Sequence, residues 1–186
     1  MRKLFLFGTI IVLLAACTRR EKGATNNYMV NISDFFRQQD VSSIRHKMFT
    51  KTLTIDGVGE TKVLRCDTFD IFKELSVFAD VDVNKTAYKG VFQIDTTYTD
   101  STYTVTYSNK ADNKLPLKEL NAHYTKATNT FYELDFYTAH GNMLSSNEQK
   151  LMMIHTQKKS AYSIYIKDNL KTGKSTVTMV EAEVVK

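Results

Sequence analysis

The 186-residue chain carries 25 basic and 20 acidic side chains, a formal net charge of +5, with one proline and two cysteines. A chain of this size forms one domain that buries roughly 70% of its unfolded surface, so no second domain is needed. The small basic excess is spread along the sequence and excludes the clustered basic face that nucleic acid requires; two cysteines, Cys17 and Cys66, cannot build a disulfide framework.

The N-terminal stretch sets the expected location. Arg2 and Lys3 precede a charge-free run from Leu4 to Ala16, which closes on Leu14, Ala15, Ala16 and Cys17. A basic head, a short apolar run and small residues make a secretory signal, and the run is too short to span a bilayer as a mature helix. The last four residues resemble the lipobox of bacterial lipoproteins. That resemblance implies removal of residues 1–16 and acylation of Cys17, which becomes the first mature residue and the anchor. Each buried acyl CH₂ contributes about 0.8 kcal/mol, so the acylated residue holds the membrane without help from the folded body. Thr18 stands where an Asp would resemble an inner-membrane retention signal, which points to the outer membrane facing the periplasm.

Residues 17–27 read as the lipidated Cys and a polar tether, with a reach of about 35 Å at full extension. The folded domain is expected over residues 28–186. Ile32, Phe35, Phe36, Val41, Ile44 and Met48 recur near a helical period, and Ser33 is placed as an N-cap, which predicts a helix from Ser33 to the mid-forties. Phe49, Leu53 and Ile55 alternate with threonines. Asp56 to Gly59 then supply a turn, and Glu60 to Cys66 returns, a hairpin signature. Cys66 shares parity with Leu64 and reads as a small core residue. Ile71, Phe72, Leu75, Phe78 and Ala79 predict a second amphipathic helix over 68–79, capped by Asp67 or Thr68. The run from Asp80 to Lys85 resembles the start of an EF-hand loop, but Lys85 and Val91 stand where Gly and the bidentate Glu belong, so a polar connection is expected.

From Tyr88 the pattern is one of successive strands. Tyr88, Gly90, Phe92 and Ile94 alternate with polar residues, as do Tyr103, Val105 and Tyr107 after a turn at Asp100 and Ser101. Leu120, Ala122 and Tyr124 share one side of the next strand. Phe131 to Thr138 is apolar on both sides and reads as central. After a turn at Gly141 and Asn142, Leu144 to Thr156 runs back, and Tyr162, Ile164 and Ile166 mark another strand. In the last strand Val177 and Met179 share one parity while Val180, Ala182 and Val184 share the other, which predicts a β-bulge near Met179 and Val180.

Short turns between these strands predict an antiparallel meander of about seven to nine strands, with the two helices packed on one face: an α+β domain. In element order this architecture is similar to the half-barrel of the Lol lipoprotein carriers and related lipid-binding lipoproteins. No motif accompanies the likeness, so it transfers no functional residue.

Motifs of the common hydrolases, nucleotide binders and metalloenzymes are absent from the sequence. His46, His123, His140 and His155 are far apart, so no metal site and no catalytic residue is assigned, and no cofactor is expected. Glu133 and Asp135, and likewise Glu181 and Glu183, read as solvated strand faces. The expected function is a non-catalytic envelope lipoprotein, a binding or assembly module for a lipid, another apolar ligand or an envelope protein. The alternative is a hydrolase or isomerase built on Cys66 or His155.

Overall fold

The computed structural model describes residues 30, 47–65, 83–109, 115–156 and 159–185. They form nine strands: β1 (Met48–Ile55), β2 (Val58–Arg65), β3 (Phe92–Tyr98), β4 (Thr102–Asn109), β5 (Leu117–Thr125), β6 (Phe131–Gly141), β7 (Ser145–His155), β8 (Ser160–Leu170) and β9 (Ser175–Val185). All belong to one antiparallel sheet in the order β2-β1-β9-β8-β7-β6-β5-β4-β3.

This corrects the α+β expectation. Among the described residues there is no α-helix, only a 3-10 turn at Thr86–Tyr88. The two stretches expected to be helical, from Ser33 to the mid-forties and over 68–79, lie outside the described residues. The architecture is all-β because β-period alternation persists through strands of seven to eleven residues. From β3 onward the hairpins are tight, so no crossover helix fits between these strands.

The simple meander is also corrected. Strands β3 to β9 follow one another in space as in sequence, but the β1–β2 hairpin docks on β9, with Phe49 opposite Val184 and Leu53 opposite Val180. Consecutive strands β2 and β3 therefore form the two opposite edges. β3 also begins later than expected. Gly90 adopts a φ of 73°, a left-handed conformation that ends any extended run through Tyr88.

One face of the sheet makes the core. A continuous row runs Tyr107, Leu120, Phe136, Leu151, Ile164, Val180 across β4 to β9 by direct register. A second row runs Val105, Ala122, Leu134, Met153, Tyr162, Ala182. Leu120, Ala122 and Leu134 are completely buried, and Val30 and Val83 join the same cluster from outside the strands. Burying each such aliphatic side chain contributes on the order of 2 kcal/mol, and these rows tie the sheet together.

The bulge expected in β9 does not occur. Its pairing with β8 runs without interruption from Ala161 opposite Glu183 to Asn169 opposite Ser175. Val180, Ala182 and Val184 face the core, while Val177 and Met179 lie half-buried on the other face, so the strand is apolar on two faces and keeps its register. The register shifts lie instead in the β5–β6 pair, between Leu117 and Glu119 and between His123 and Tyr124.

Candidate functional site

Away from the core, the second face of the sheet is polar, and its side chains are bonded to one another across strands. Thr104 on β4, His123 on β5 and Glu133 on β6 share one register row; Thr106, Asn121 and Asp135 share the next. The Thr104 Oγ1 lies 2.9 Å from His123 Nδ1, and His123 Nε2 lies 2.9 Å from Asp135 Oδ2. The Asn121 amide donates to Asp135 Oδ1 at 3.0 Å and to Glu119 Oε1 at 2.9 Å, while Thr106 Oγ1 donates to Asn121 Oδ1 at 2.7 Å. The result is a ladder over three strands in which Thr104, Thr106, Glu119, Asn121, His123 and Asp135 are each bonded to at least one other.

This ladder raises the His123 pKa. The dominant cause is the hydrogen bond to Asp135; burial opposes it, and the charges of Glu133 and Asp135 add to it. The Asp135 carboxylate thus favours the imidazolium more than water does. A hydroxyl, an imidazole and a carboxylate in line suggest nucleophilic catalysis, but the chemistry does not follow. Strand pairing occupies the backbone N–H groups along this row, so they are not aimed at an oxyanion beside it.

Next to the ladder lies an open depression of about 900 Å³, lined by Asp135, Tyr137, Glu148, Lys150, Ser163 and Tyr165 among others. A smaller one of about 290 Å³ adjoins it, reaches Thr50, Thr52, Glu181 and Glu183, and shares Met152 and Ser163 with it. Together they cross the polar face from β5 to β1.

Tyr98, Tyr103, Tyr124 and Phe131 form an aromatic stack across β3 to β6, with the Tyr103 and Tyr124 rings 4.8 Å apart and nearly parallel. Burial, followed by the neighbouring Tyr107 and Tyr103 hydroxyls, pushes the Tyr124 pKa up to about 12. The Tyr103 hydroxyl donates to Asn129 Oδ1. Because Tyr103, Tyr124 and Phe131 stack on each other, their faces are used for packing rather than offered to a ligand, while Tyr98 lies tilted against Tyr103 and is largely exposed.

The sequence-assigned residues are scattered. Cys17, Cys66 and His46 lie outside the described residues. His155 stands at the end of β7, its Nδ1 2.6 Å from Ser160 Oγ across the hairpin. His140 is exposed on β6. Glu133 and Asp135 join His123 instead of a bare solvated face, and Glu181 and Glu183 line the smaller depression. Sequence reasoning missed the His123–Asp135 pair because it searched for partners along one strand, whereas these meet across two. The available signal was parity: His123 alternates with the core residue Ala122, and Asp135 with Leu134 and Phe136. Among the described residues no group of three His, Cys, Asp or Glu side chains is arranged to hold a metal ion. No protein family, characterised protein or solved structure matches the chain.

Proposed function

We propose that this protein is an envelope lipoprotein anchored through acyl chains on Cys17, whose folded body is a non-catalytic binding or assembly module. The observation that supports this reading most directly is the pair of adjoining open depressions on the polar face. Enzymes enclose their chemistry to exclude water, and this surface is wide and open. Such a surface suits docking. Its lining sets carboxylates, Lys150 and Ser163 beside Phe136, Leu151, Met152 and two tyrosine rings, which suits a partner that presents both polar and apolar groups.

The test is a photo-crosslinking residue placed at Ser163, where the two depressions meet, in the full chain in intact cells. The reading predicts a discrete adduct that is lost when Glu148→Lys is added, and no such adduct from a probe at the distal loop residue Lys171. Absence of any adduct at Ser163, or identical adducts from both positions, contradicts it.

A further inference from the structure

The two edges of the sheet are built differently. At the β2 edge the two middle core-face rows end in charge, between rows that end in Val58 and Leu64: Leu53 is opposite Glu60 and Lys51 is opposite Lys62, with Glu60 and Lys62 3.0 Å apart in an ion pair. Charges directed along the apolar face are a device that blocks edge pairing. At the β3 edge two apolar rows run to the margin of the sheet with no charged residue of β3 on that face, and Lys126 Nζ lies beside them, 5.4 Å from the Tyr98 ring centre. Ile94 continues the row of Tyr107 and is 52% exposed, and Tyr98 continues the row of Tyr103 and is 67% exposed. Strand β3 has a single charged side chain, Asp95, and no lysine, proline or bulge.

Among the described residues the backbone of β3 is open on the same side. The Thr99 N–H donates to the Thr102 carbonyl at 2.9 Å, so that pair is hydrogen-bonded. Antiparallel ladders alternate bonded and non-bonded pairs. The bonded partners of β4 are therefore Thr97, Asp95 and Gln93, and the N–H and C=O groups of Phe92, Ile94, Thr96 and Tyr98 point away from the sheet.

We propose that β3 pairs antiparallel with β3 of a second copy of this chain, about a two-fold axis at Thr96, to form one eighteen-stranded sheet. Residues that face each other across a two-fold axis perpendicular to the sheet lie on the same face, so their numbers sum to an even value. Three registers fit the strand. One centred on Asp95 sets two carboxylates directly opposite and is disfavoured. One centred on Ile94 leaves Tyr98 beyond the partner strand. The Thr96 register places Ile94 opposite the partner's Tyr98 twice over, an aromatic and β-branched pair, and sets Asp95 against a threonine. It covers both exposed apolar side chains and brings the outward N–H and C=O groups into bonded pairs. A contact related by a two-fold axis also closes, leaving outside only the β2 edges with their Glu60–Lys62 pairs, whereas β2-to-β3 pairing would propagate into a filament.

Sedimentation of the full chain in detergent, with the detergent contribution subtracted, tests this. The expected protein mass is twice that of one chain at micromolar concentration. Thr96→Pro removes an outward N–H and no ladder bond, so it is expected to leave the strand signal in circular dichroism intact and halve the mass. Ile94→Lys should do the same by placing a charge at the join. Oxidation should link Thr96→Cys chains into a dimer, because bonded antiparallel pairs lie at a Cα separation of about 5.5 Å, within disulfide reach. Asp95→Cys should stay unlinked at that site. A monomeric wild-type chain, a dimer that survives both β3 substitutions, or linkage through Asp95→Cys in place of Thr96→Cys would each overturn the proposal.

Discussion

His123 is a partly buried imidazole held between a hydroxyl and a carboxylate, and its raised pKa has a definite consequence for stability. The unfolded imidazole titrates near about 6.5. A folded pKa above that value means the interaction stabilises the fold fully below the unfolded pKa and is lost as pH rises through the folded one. The Asp135 side chain is about one-third exposed, which holds the effect to about 1 kcal/mol or less. Urea denaturation of wild type and Asp135→Asn should differ more at about pH 5.5 than at about pH 8.5, and the His123 pKa read by NMR should fall in the variant. In the core, Leu134 is completely buried between Ala122 and Met153. Leu134→Ala should cost about 2–5 kcal/mol by leaving a cavity, measured as a drop in the urea midpoint.

At the scale of elements, the β1–β2 hairpin shows how a local turn and a distant strand cooperate. Asp56 and Gly57 both have positive φ, 48° and 85°, the backbone signature of a type I′ turn. Asp56 also fixes the hairpin to β9: its N–H donates to the Val177 carbonyl at 2.8 Å, and its Oδ1 accepts from the Val177 N–H at 2.7 Å. Asp56→Ala should destabilise by about 1 kcal/mol through loss of that acceptor and of a residue suited to the turn. Gly57→Ala should cost about as much through backbone strain alone, since a Cβ there meets no atom within 4 Å. Thermal melts of the two single variants check both values. The turns at Asp56, at Asp100 and Ser101, and at Gly141 and Asn142 were legible in the sequence, because turn residues and alternating strands are local signals. The register of β9 was not. Its two apolar parities were read as a bulge, when they reflect a strand with apolar residues on both faces; only the neighbouring strands distinguish the two.

For the molecule as a whole, the fold depends on β1 meeting β9, a contact between residues more than a hundred positions apart, such as Phe49 and Val184. Nothing local in either strand names its partner. For that reason the sheet's antiparallel character was readable and its strand order was not. The same long-range closure predicts slow folding relative to helical domains of this size. A chain ending at Lys174 lacks β9 and should lose the strand on which the hairpin docks, seen as faster hydrogen exchange throughout β1 and β2. The candidate site followed the same rule: carboxylates were visible on strand faces, but the His123–Asp135 pair and the two depressions exist only once β5 to β9 lie side by side. The proposed anchor rests on a different layer of information, the sequence of the first seventeen residues. The reading of the whole chain as a lipoprotein is tested most directly by expressing the wild-type and Cys17→Ser chains with labelled palmitate and fractionating the cells. The account predicts label and membrane sedimentation for the wild type and loss of both for the variant; an unlabelled wild-type chain, or a variant that still sediments with membranes, would contradict it.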